Sequence, residues 1–128
     1  MSVLRSLKNI PGYPTISLDI ENIVPASIYK KIPDEEKLTA DILANNNLYP
    51  LIVFDTTEEY WTKNHLPLYR YGNPDLPAKP PLVNDRVYVV WFGRQRLQIC
   101  KKLNFITVEC VLEKNFNKML QLGHKYKI

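Results

Sequence analysis

The chain has 128 residues, 45% hydrophobic and 23% charged, a composition that suits one packed domain and excludes a generally disordered or low-complexity chain. No apolar run approaches the ~20 residues that a membrane helix needs, and MSVLRSLKNIPGYP lacks the apolar stretch of a secretory leader, so the expected setting is soluble and cytoplasmic. A net charge of +4 permits an anionic partner, nucleotide or nucleic acid, without requiring one.

In chain order, TISLDI (15–20) alternates, with Ile16, Leu18 and Ile20 on one face, and predicts a first strand. ENIVPASIYKKIP reads as an irregular connection because Pro25 and Pro33 interrupt any helix. A helix is predicted over 34–45, with Asp34 as N-cap, Glu35 and Glu36 in the first turn, and Leu38, Ile42 and Leu43 as its apolar face. The asparagines 45–47 suit a left-handed stop. YPLIVF (49–54) predicts a short buried strand entered at Pro50.

Residues 55–85 hold five prolines and four aromatics and read as an insertion between two strands, with an extended, exposed tip at YGNPDLPAKPP. RVYVVWF (86–92) is the strongest strand, with one alternate set of side chains expected to meet the core. A helix follows over 94–103, then a strand over 105–112, then a helix over 116–122 capped by Asn115 and stopped by Gly123. This order predicts a small α/β or α+β domain. Cys100 and Cys110 have no CxxC spacing and no nearby histidine. Zinc is not expected, and two buried thiols are the simplest reading, with a disulfide or redox pair as the alternative.

YVVWFGRQRLQICKKL carries the functional argument. The amino end of a helix has unpaired N–H groups and partial positive charge, which favours acids. Here Arg94 and Arg96 occupy the first turn, and no carboxylate appears between Asp85 and Glu109. Each exposed arginine there costs about 0.3–1 kcal/mol. An external anion reverses that cost, because Gly93 lets backbone approach closely and a guanidinium offers a fork for phosphate. Solvated arginines beside a tight turn are the competing explanation.

NNNLYPLIVF followed by YVVWFGRQRLQICKKLNFITVECVL resembles the ParB/sulfiredoxin fold over about Thr15 to Leu112. Leu48, Pro50, Ile52 and Val53 match the family's first block. Gly93, Arg96, Leu97 and Leu103 match its G-x-x-R helix, and Asn104 stands where glycine is usual. The resemblance implies a single domain over 1–128 that holds nucleotide phosphates at Gly93, Arg94, Gln95 and Arg96, with ATP or CTP and Mg2+ as cofactors. Arg94 replaces the family's glutamate or cysteine, so sulfiredoxin chemistry is not expected. With so few residues after Leu112, the DNA-reading helices of a full ParB, and centromere reading with them, are not expected.

If the domain is an enzyme, phosphoryl transfer or phosphodiester cleavage is the expected class, with Glu21 and Asp55 as candidate catalytic or metal-binding acids and Asp19, Glu58 and Glu59 nearby in sequence. Tyr69, Arg70 and Tyr71 interleave rings with a cation and, with Lys101, form a candidate nucleic-acid contact or lid; the tyrosines can equally fold a loop onto its domain. His65 reads as a loop histidine without a role, and Trp61 and Trp91 as packing residues. The alternatives to a nucleotide site are a non-catalytic DNA- or RNA-binding module and a viral or mobile-element protein that grips a protein partner through its insertion.

Overall fold

A computed structural model describes residues 3–4, 8–27, 34–44, 48–71 and 74–126. In chain order these form β1 (Val3–Leu4), β2 (Ile16–Asp19), a 3-10 turn (Ile20–Asn22), β3 (Ile23–Pro25), α1 (Glu35–Ala44), β4 (Leu51–Thr57), α2 (Glu58–Asn64), α3 (Leu66–Tyr69), β5 (Arg86–Val90), α4 (Arg94–Lys102), β6 (Thr107–Glu113) and α5 (Phe116–Tyr126). The expected small α/β domain is what forms. The asparagines 45–47, the tip residues 72–73 and the last residues of the basic tail lie outside the described residues.

The strands make one mixed sheet in the order β1-β6-β4-β5-β3, with β2 also paired to β6. β6 runs parallel to β1 and β4 and antiparallel to β2, while β5 runs antiparallel to β4 and parallel to β3. The central strands are buried on both faces, which is why they read as continuous apolar runs. Leu51, Val53, Tyr88, Val90, Val108 and Cys110 face α1 and α4 and pack on Ile42, Leu97, Ile99 and Phe105. Ile52, Phe54, Val87, Val89 and Val111 face the other way, onto Trp61 and Met119. Both alternate sets of β5 therefore enter a core, where one was expected.

Several local expectations change. The segment 23–25, read as irregular, is β3, and Pro25 is tolerated because it lies at the end of an edge strand. Asp34 takes a left-handed φ of 50° and serves α1 through its carbonyl, which accepts from the Leu38 N–H at 3.2 Å. Leu43 is 52% exposed and does not share the buried face of Ile42. β4 runs on to Thr57, whose hydroxyl caps α2 by accepting from the Tyr60 N–H at 3.1 Å, so the insertion opens as a helix rather than a loop. Asn115 caps α5 as expected, accepting from the Lys118 N–H at 3.0 Å. Gly123 does not stop that helix. It lies inside it, where a Cβ would overlap the ring of Phe92, so packing rather than capping demands glycine.

Candidate functional site

After Val90 the chain bends through Trp91 and Phe92, and Gly93 turns it into α4 with φ 88° and ψ 18°. That left-handed conformation is cheap only for glycine, so this position has a backbone reason for its identity. The Gly93 carbonyl accepts from the Leu97 N–H at 2.9 Å, and glycine offers no side-chain cap to the first-turn N–H groups. At the other end of α4, Asn104 also takes a left-handed φ, 61°, as an asparagine can where glycine is otherwise used.

The two arginines part company. Arg94, half-buried, donates from Nη1 to the hydroxyl of Ser27, just beyond β3. The ends of β3 and β5 are neighbours there, because the Ala26 N–H donates to the Val90 carbonyl at 2.8 Å. Gln95 is half-buried on the same turn. Arg96 turns inward and is 5% exposed. Its Nε is sealed from solvent and has no hydrogen-bond partner among the described residues.

Burial pulls the Arg96 guanidinium below its ordinary value, and the thiols of Cys100 and Cys110 act in the opposite direction. Those thiols are buried and unpaired, and burial pushes them up, to about 11 for Cys100 and about 12 for Cys110, so both are inert at neutral pH. All 13 aspartates and glutamates of the chain lie within the described residues, and neither ion pair formed there includes Arg96. A buried cation without a counter-ion costs several kcal/mol.

The other candidates do not join this group. Asp55 is not a loop acid: it lies within β4, and Arg86 Nε on neighbouring β5 holds its carboxylate at 2.7 Å. Glu21 lies on the 3-10 turn and lines an open hollow of about 560 Å³ with Asp19, Lys101, Asn104 and Ile106. Asp55 does not line that hollow. The hollow lies at the carboxyl end of α4, about 10 Å along the helix from Arg94 by the rise of ~1.5 Å per residue. Desolvation there pulls the Lys101 ammonium below its ordinary value. No cluster of three or more His, Cys, Asp or Glu side chains able to hold a metal forms among the described residues.

In the insertion, Tyr69 packs on Trp61 with ring centroids 5.7 Å apart, Arg70 donates to the Pro74 carbonyl, and Tyr71 is 83% exposed. Tyr69 is thus engaged by the domain, while Tyr71 is left to solvent. His65, expected to be idle, is buried among aromatic rings instead. Sequence reasoning missed this, although its helical spacing from Trp61 is a signal for a shared face. It missed the Asp55–Arg86 pair because the strand was ended at Phe54, three residues before its true end at Thr57. No helix among the described residues is long and apolar enough to cross a membrane. No protein-family model and no curated protein matches the chain.

Proposed function

We propose that this is a ParB/sulfiredoxin-like domain that binds a phosphorylated ligand at Gly93–Arg96. The observation that carries the reading is Arg96, a buried guanidinium with no carboxylate partner on the first turn of a helix that begins at a left-handed glycine. A tetrahedral oxyanion at that turn meets backbone N–H groups, the helix dipole and a charged fork together. The enclosure of Arg96 favours a slender terminal phosphate, as on a nucleotide, over the backbone of a duplex.

The role is binding rather than catalysis. Of the two candidate acids, Asp55 is engaged by Arg86 and Glu21 lies beyond the far end of α4. If Mg2+ accompanies the ligand, Asp19 and Glu21 are the carboxylates that share a hollow, and they stand apart from Arg96.

A thermal-shift titration with ATP, CTP and inorganic phosphate, with and without magnesium, tests the proposal. A saturable rise in melting temperature in the parent protein and none in Arg96→Met is expected. Equal shifts in the two proteins overturn the site. A second reading rests on the insertion, where Tyr60, Leu68 and Tyr71 are all exposed. It predicts a protein partner whose capture is lost in Leu68→Glu and Tyr71→Glu and unaffected by Arg96→Met.

A further inference from the structure

His65 joins α2 to α3: its N–H donates to the Trp61 carbonyl at 2.8 Å, and its carbonyl accepts from the Tyr69 N–H at 3.0 Å. It is 3% exposed. Its ring centroid lies 5.5 Å from those of Phe54 and Tyr60 and 5.7 Å from those of Trp91 and Phe116. Neither Nδ1 nor Nε2 has a hydrogen-bond partner among the described residues, and the Nε1 of Trp91 is sealed in the same way. One side chain thus meets β4, α2, α5 and the link that leads into α4.

No charge compensates the imidazole. Of its ring neighbours, only Tyr60 titrates. Asp55 follows Phe54 in β4 but points to the opposite face, where Arg86 holds it. Glu59 and Lys63 of α2 and Lys118 of α5 are exposed, and Glu58 is half-buried. None of them acts on His65, whose value burial alone lowers. A neutral ring is tolerated in this box; an imidazolium loses its hydration there and gains no acceptor.

Trp91 stands two residues before Gly93, so whatever holds the indole also holds the turn that presents Arg94 and Arg96. We propose that His65 is a pH-operated latch on the anion site: protonation drives its ring out of the aromatic box, releases Trp91, and loosens the Gly93 turn so that oxyanion binding weakens. The inference rests on the phosphate-site reading above. Its sign follows from linkage. A released imidazole takes up its proton near pH ~6.5. The sealed ring holds the proton less well, so the closed state is intact above that pH and is lost as pH falls below it.

The test uses sulfate, which stays dianionic across the range, on the full chain between pH 7.5 and 5. The imidazole resonances of the two histidines and the indole resonances of the two tryptophans are followed in the parent protein. His65 is expected to titrate below the ordinary imidazole value of ~6.5, with the Trp91 indole shifting in step, and sulfate affinity is expected to fall at least tenfold. His65→Phe is expected to hold its sulfate affinity within about twofold. A His65 midpoint at or above ~6.5, a Trp91 indole that ignores the titration, or sulfate binding independent of pH overturns the latch. Sulfate binding at no pH overturns the anion site itself. If His65→Phe fails to fold, the parent titration alone decides.

Discussion

Phe92 lies against the backbone of Gly123 so closely that a methyl group on that glycine would overlap the phenyl ring. The contact ties α5 to the residue that immediately precedes Gly93, so the last helix braces the turn from which the candidate site is built.

Substituting alanine for a glycine inside a helix normally stabilises it by about 1 kcal/mol. At this position the expected sign is reversed. Gly123→Ala forces Phe92 aside, and overpacking of this kind costs about 1–3 kcal/mol. Urea denaturation reads the difference, and a more stable Gly123→Ala protein would show that Phe92 rotates away freely.

Arg96→Met removes a buried charge and keeps most of the side-chain volume. Replacing buried charged groups by apolar ones is often neutral or stabilising by about 1–4 kcal/mol. The ligand-free variant is therefore expected to equal or exceed the parent protein in denaturant stability. A loss of about 3 kcal/mol would mean that Arg96 serves the fold and not a guest.

Asp55 and Arg86 form an ion pair at 2.7 Å, with a nearly buried carboxylate and a side chain on Arg86 that is 31% exposed. Arg86 Nη2 also donates to the Asp55 carbonyl at 3.0 Å. Arg86→Ala strands the carboxylate. Breaking a fully buried pair costs about 3–5 kcal/mol, so about 2 kcal/mol is expected for this partly solvated one. Changing both residues to leucine should recover most of that loss, because no buried charge is then left behind. Chemical denaturation of the two variants checks both expectations.

Tyr13 donates to Glu113 Oε1 at 2.5 Å, fastening the segment before β2 to the end of β6. That hydrogen bond, with burial, pushes the Tyr13 phenol up to about 12. For Glu113, burial pushes the carboxyl up, but the hydrogen bonds from Tyr13 and from the backbone of Asn115 outweigh it and hold the group below its ordinary value. The phenol's contribution is complete below pH ~10 and is lost as pH rises from there through its folded value. The carboxylate's contribution is complete above pH ~4.5 and is lost as pH falls through its depressed value. Tyr13→Phe should cost about 1 kcal/mol at pH 7, discounted for partial exposure, and should flatten both limbs of a stability–pH curve.

Local chemistry carried much of this protein into view from its residues alone. The β-branched run of β5, the glycine turn, α4 and the Asn115 cap all depend on neighbours in sequence, through propensity, φ preference and capping. So do the two-arginine first turn and the class of fold. What lay beyond reach depends on neighbours in space. Arg94 reaches Ser27 and Arg96 enters the core, because the sheet brings β3 and β6 under α4. Asp55 is spent on an arginine 31 residues away, His65 is walled in by rings from three other parts of the chain, and Gly123 is required by Phe92. Periodicity can say that a side chain has a face; only the packing of strands and helices drawn from across the chain decides what that face meets, and so which charges are left without a partner.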